Sequence, residues 1–188
     1  MEAVRIESLS RQVEDIPAEY PDVTGILSET ASAIDTDAIW ARIESYIAYR
    51  FTPRTVVWTV EGGGEWTPAL TPVISFTAEV WEMGSWVTTT LQEGPFGYCL
   101  ISDGPYRITA QVGGGDAPAA VTEAFRRLAE YSASIGEDSW FRGRAGTTSF
   151  TGKIDEMEVS GTRSATWTAK AIQNSGAADL LRPYRRAP

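Results

Sequence analysis

Histidine is absent from the 188 residues, and cysteine occurs once, as Cys99. One cysteine cannot close an internal disulfide. Without histidine, the chain lacks the commonest metal ligand and the commonest general base near neutral pH. Catalysis would have to come from carboxylates, lysine, tyrosine or a Ser–Lys pair, so no catalytic residue, metal or cofactor is expected. Long apolar runs are missing as well. Nothing approaches the roughly 18 uninterrupted apolar residues of a membrane span, and no membrane association is expected. The opening stretch MEAVRIESLSRQVEDIP is acidic and polar, without the apolar centre of a secretory signal, so a soluble chain made in the cytosol is expected. No low-complexity tract and no repeat of solenoid period occurs.

What is present suffices for a folded core. Hydrophobic residues make up 43% and charged residues 22%, which is the globular range, and seven tryptophans supply large apolar surfaces for a core or an interface. Charge is unevenly placed. Residues 1–162 carry a net −13 and residues 163–188 a net +4. An acidic body repels a nucleic-acid backbone, which argues against a duplex-binding domain. A basic segment on that body suits docking onto an acidic neighbour; a solvated, unpatterned tail is the alternative.

Apolar spacing predicts three helices. Val23, Ile26, Leu27 and Ile34 mark one over 22–34, weakened by Gly25. Ile39, Ile43, Tyr46, Ile47 and Arg50 mark a second over 37–50, with Asp35 or Thr36 as its cap. Val121, Phe125, Leu128, Ser132 and Ile135 mark the third over 117–135, with Asp116 at the cap position, Pro118 in the first turn and Gly136 as the stop. Between the second and third helices the period changes. Segments 54–60, 73–82, 85–91, 96–102 and 106–112 are rich in β-branched and aromatic residues, and Gly, Pro or Asp clusters separate them. Such short connections require antiparallel hairpins. The expected fold is therefore α+β: a small helical bundle with an inserted antiparallel β meander, then an extended C-terminal tail. Residues 1–137 form the expected core. Residues 138–188 form the expected arm, with too little patterned apolar content to fold alone.

Several motifs have an ordinary structural explanation. The glycine triplets at 62–64 and 113–115 lack the spacing of a phosphate-binding loop and read as turns. Trp58, Trp66, Trp81 and Trp86 could stack sugars, but in a half-buried sheet they serve first as core or subunit interface, so Trp66 and Trp86 are candidate interface residues. The pairs Glu61/Glu65 and Glu79/Glu82 suit a glycosidase on paper, yet in a chain with 25 acids they read as solvated charge. Arg107 is either an interface ion-pair partner or an outward-facing side chain, and exposure is the preferred reading. Arg126 and Arg127, off the apolar stripe of the third helix, could meet an acidic neighbouring subunit or simply face water. The segment LLRPYRR, residues Leu180, Leu181, Arg182, Pro183, Tyr184, Arg185 and Arg186, combines the aromatic, arginine and apolar types enriched among interface anchors.

The order of these parts resembles a known family. YIAYRFTPRTVVWTVEG is followed by a W-x-P-x-L-x-P turn over Trp66–Pro72, then DGPYRITAQVG, then APAAVTEAFRRLAEY. This succession, over roughly residues 22–137, is similar to the head–tail connector (adaptor) proteins of long-tailed phages and gene transfer agents. The ending SGAADLLRPYRR is similar to connectors of the gene-transfer-agent type. The resemblance implies a non-enzymatic subunit of the particle neck. It implies a ring of about twelve copies seated under the portal protein, with stopper or tail proteins on its other face and DNA passing through the channel unbound. It also implies that residues 180–186 dock on the portal. A glycan-binding appendage using the Trp-rich sheet is the alternative.

Overall fold

A computed structural model of the protein describes residues 9–23, 25–136, 147–151, 160–163 and 169–185. The chain divides into two compact units. One comprises Met1–Tyr20 with Ala48–Asp116, and the other Pro21–Ile47 with Ala117–Pro188. This differs from the expected split at residue 137, because segments 21–47 and 117–188, on either side of the sheet region in sequence, build one unit together.

The first unit is all β. Strands β1 (Leu9–Glu14), β2 (Arg54–Glu61), β4 (Val73–Glu82), β5 (Ser85–Thr89) and β8 (Tyr106–Val112) form a five-stranded antiparallel sheet in the order β1-β2-β8-β4-β5. Three short strands, β3 (Gly64–Trp66), β6 (Gln92–Gly94) and β7 (Gly97–Leu100), form a second sheet in the order β3-β7-β6. Alternation along the strands sends Val56, Trp58 and Val60 of β2 and Ile108, Ala110 and Val112 of β8 to one face. There they form one buried cluster with Trp66, Leu70, Leu91 and Leu100. Each large apolar side chain of this kind contributes about 1.5–3 kcal/mol by leaving water. Trp58 meets Trp66 edge to face with ring centroids 5.6 Å apart. β4 and β5 join through the two-residue turn Met83-Gly84, whose φ angles of 48° and 84° both lie in the left-handed region that a type I′ hairpin turn requires.

The strands expected at 73–82 and 106–112 appear with those bounds. Those expected at 85–91 and 96–102 are shorter, at Ser85–Thr89 and Gly97–Leu100. The simple meander is not observed. β8 inserts between β2 and β4, and β3, β6 and β7 leave the main sheet. β1 is not expected from its polar sequence. It is held by non-local pairing with β2 and by a salt-bridge cluster described below.

The second unit is built on helix α3 (Ala119–Gly136), against which α1 (Glu29–Ser32), α2 (Thr36–Ile47), α4 (Ala171–Asn174) and α5 (Ala177–Leu181) pack. Val121, Ala124, Phe125, Leu128 and Ala129 line its buried face, and Phe125 stacks on Trp40 of α2 with centroids 4.7 Å apart. Asp35 caps α2, its carboxylate accepting from the backbone N–H of Asp37 and Ala38. The first expected helix contracts to four residues because Gly25 (φ 84°) breaks the run and Ser28 caps the single turn that remains. The Ser28 N–H and hydroxyl both donate to Glu130, tying α1 to α3. Pro118, rather than Asp116, precedes the first residue of α3, and its carbonyl accepts from Val121 and Thr122. The glycine triplet at 113–115, all three with positive φ, supplies the preceding turn.

The expected extended tail is not extended over 171–184. It forms α4 and α5, separated by Gly176 in the left-handed region, and then a 3-10 turn over Arg182–Tyr184. Ala171, Ile172, Ala177 and Leu181 are buried. These apolar positions are too sparse to form a helical stripe, and burial against α3 rather than local periodicity makes them helical. A two-stranded antiparallel ribbon, β9 (Thr147–Thr151) with β10 (Ser160–Arg163), completes the described part of this unit.

Candidate interaction surfaces

Leu180 to Arg185 divide by exposure. Leu181 is fully buried and Leu180 half-buried, whereas Arg182, Pro183, Tyr184 and Arg185 are exposed. Leu181 is thus an anchor into its own unit and is withdrawn from any docking surface. The four residues after it are displayed on a tight turn whose rigidity comes from Pro183 at the start of the 3-10 helix. Tyr184 is 37% exposed, and the Arg185 guanidinium lies 4.7 Å from the centroid of the Tyr46 ring, which holds that side chain against α2. Arg186 lies outside the described residues.

On the β unit, Arg107 is not a free outward charge. Its Nε donates to Glu79 at 2.7 Å and its Nη2 lies 2.6 Å from the same carboxylate oxygen, while its guanidinium sits 4.6 Å from the centroid of Trp86. Glu79 and Arg107 are directly opposed on β4 and β8, and Trp81 and Trp86 on β4 and β5. The two indoles meet edge to face at 5.1 Å. Trp81 is 42% exposed and Met83, at the hairpin tip, fully so. Trp81, grouped with the other strand tryptophans in the sequence but not among the candidate interface residues, is a surface residue. The signal lay in WEMGSW, where a two-residue turn brings the flanking tryptophans opposite each other. Trp66 is only 8% exposed, inside the core. With Trp58 and Trp66 buried and Trp86 covered on one side by Arg107, Trp81 is the exposed ring of the four.

The two arginines of α3 share one carboxylate of their own helix. Glu123 accepts from Arg126 Nε and Nη2 and from Arg127 Nε, each at 2.8 Å. The hydrogen bonds from Arg126 and then Arg127 hold the pKa of its carboxyl at about 2. One carboxylate of each acidic pair is likewise in structural use. Glu79 pairs with Arg107, and Glu65 accepts from the Phe96 N–H at 2.8 Å. Among the described residues no cluster of metal-ligating side chains occurs, and no helix is long and apolar enough to cross a membrane.

A second polar cluster fixes the strand that sequence reasoning missed. Arg50 and Arg54 are buried, at 5% and 6% exposure, and both donate to the Glu14 carboxylate at the end of β1. Burial pushes the Glu14 carboxyl up, but hydrogen bonds and charge from Arg50 and then Arg54 outweigh it and leave it below its ordinary value. The Trp58 indole N–H donates to Gln12 at 2.8 Å, a second tie between β1 and the sheet.

No family model and no curated protein matches the sequence. Solved structures do match. A chain from the neck of an empty GTA particle, determined with C6 symmetry, aligns over 95% of this chain and 96% of its own, with a TM-score of 0.50 and 14% identity. The chain has the fold of a GTA-particle neck protein. A chain from the neck of a native GTA particle, determined with C12 symmetry, aligns over 93% of this chain and 97% of its own, at a TM-score of 0.49 and 16% identity. The α+β class expected from the sequence is the class observed.

Proposed function

We propose that the protein is a structural, non-catalytic ring subunit of the neck of a phage or gene transfer agent, an adaptor between the portal protein and the stopper or tail proteins. The observation that carries this reading is a fold shared with a particle-neck chain along nearly the whole of both chains. The sequence resemblance to head–tail connectors and the acidic composition support it. A channel that passes DNA must not bind it, and a net charge of −9 repels phosphates. In this reading about twelve copies close a ring through head-to-tail contacts, and the exposed turn Arg182–Arg185, continued by Arg186, grips the portal.

The split in the tail dictates the experiment. Removing residues 182–188 leaves Leu181 in the core, so the body is expected to remain folded, with an unchanged thermal midpoint, while association with portal protein is lost. Association that survives this deletion rules out the turn as the clamp. A larger deletion that takes Leu181 would unfold the helical unit and report nothing about docking.

A further inference from the structure

A closed ring of identical subunits needs a contact in which one surface of a copy meets a different surface of the next. Phe96 supplies one such surface. Strands β6 and β7 are joined by the two-residue turn Pro95-Phe96, with Gly94 opposite Gly97. The Phe96 side chain is 77% exposed, yet its backbone is held on both sides. Its N–H donates to the Glu65 carboxylate at 2.8 Å, and its carbonyl accepts from the Thr67 hydroxyl at 2.6 Å. Gly97 presses so close to the Trp66 carbonyl that no Cβ could fit between them, which fixes the turn against β3. Pro95 restricts the remaining backbone freedom. A large apolar ring displayed in water on a fixed turn does not stabilise its own subunit, and it loses little conformational freedom on docking.

The second surface lies on the helical unit. An open cleft of about 420 Å³ at the start of α3 is lined by Ile26, Ala117, Ala119, Thr122, Glu123 and Arg126. The alanines and Thr122 leave the space, and Ile26 gives it an apolar wall. Arg126, whose Nε and Nη2 both donate to Glu123 at 2.8 Å, lines it with a cation that the face of an aromatic ring attracts. A cavity of about 150 Å³ already takes up benzene, so the cleft admits a phenyl ring with part of its turn. Charge also matches. Glu93, exposed and without a partner among the described residues, stands on the same hairpin as Phe96. Arg126 and Arg127 share the hydrogen bonds of one carboxylate, and Glu130, the other acid acting on Arg126, is bonded to Ser28.

We propose that Phe96 of one copy enters the α3 cleft of the next, with Glu93 drawn to Arg126 and Arg127; this rests on the ring reading above. The phenyl ring is then the buried aromatic anchor on which an interface concentrates its affinity. Knob and cleft belong to different units of the chain, so the contact is heterologous and repeats from copy to copy around the ring.

The test uses the full chain with the photoreactive p-benzoylphenylalanine in place of Phe96, under conditions where its native mass is oligomeric. Irradiation is expected to yield a ladder of crosslinked oligomers whose joined peptides map to Ile26 or to residues 117–126. Crosslinks within one copy, crosslinks mapping elsewhere, or none at all overturn the proposal. Two substitutions at exposed positions give an independent reading, with thermal midpoints confirming that each variant folds. Phe96→Ala removes the knob and Ala119→Trp fills the cleft. Each should weaken the contact about thirtyfold and shift the native mass toward monomer, and the two together should lose little more than either alone. Oligomers that persist unchanged in both variants overturn the contact and leave the ring reading standing. A wild-type chain that stays monomeric at every concentration and with portal protein added overturns both.

Discussion

The core of the β unit is assembled from residues 56–112, with β1 added at one edge. That of the helical unit draws on Ala31, Trp40, Phe125, Ile172 and Leu181, which lie on either side of the sheet region in sequence. In the first, a local run of strands satisfies itself. In the second, a late segment is partly consumed in closing the core and partly displayed. The difference shows that one short segment, LLRPYRR, can serve two ends. Exposure separates them at a single peptide bond, between Leu181 and Arg182.

Leu181 against Tyr184 tests that boundary most sharply. Leu181→Ala removes a fully buried side chain and should cost the helical unit about 2–5 kcal/mol, read as a lower denaturation midpoint. Tyr184→Ala should move stability by no more than about 0.5 kcal/mol, so its whole effect should fall on association. Equal destabilisation by the two would erase the distinction.

The next largest effect concerns the edge of the β unit. Glu14→Gln leaves two buried arginines without this counter-charge and should cost about 3 kcal/mol, together with loss of β1 from the sheet. Because the folded Glu14 carboxyl lies below its ordinary 4.5, its stabilisation is complete above that value and is lost as pH falls through the folded value. Trp58, bonded to Gln12 of β1, should therefore report an acid transition in fluorescence below about pH 4.5. Glu14→Gln should lack it; an identical acid transition in that variant would mean that another carboxylate controls the strand. The smallest effect belongs to the β4–β5 turn. Met83 occupies a left-handed position that asparagine adopts more readily, and Met83→Asn should raise stability by about 0.5 kcal/mol, measured by thermal melting. A lower midpoint would show that the fully exposed Met83 stabilises the fold by some other route.

Strands β4 and β8 and helix α3 are legible in the sequence because each carries its own pattern: alternation in VISFTAEVWE and YRITAQV, and a 3/4 apolar stripe from Val121 to Leu128. What is not legible depends on partners distant in sequence. LSRQVE becomes a strand through Glu14 meeting Arg50 and Arg54, and β8 takes its place between β2 and β4 by packing that no local signal encodes. In the arm, Ile172 and Leu181 are too sparse to announce helices, and only the surface of α3 makes them count. Arg107 reads as exposed in sequence because its acid, Glu79, lies 28 positions away and comes opposite it only in the folded sheet.

The placement of Leu181 also orders events during synthesis. The strands of the β unit have all been translated by Val112, so that unit can close while the chain is still growing. The helical unit cannot, because α3 keeps an uncovered apolar strip until Leu181 arrives. A chain interrupted before that residue keeps the strip uncovered and never carries the Arg182–Arg185 turn. Any assembly that requires the turn therefore admits only chains that have already completed both units.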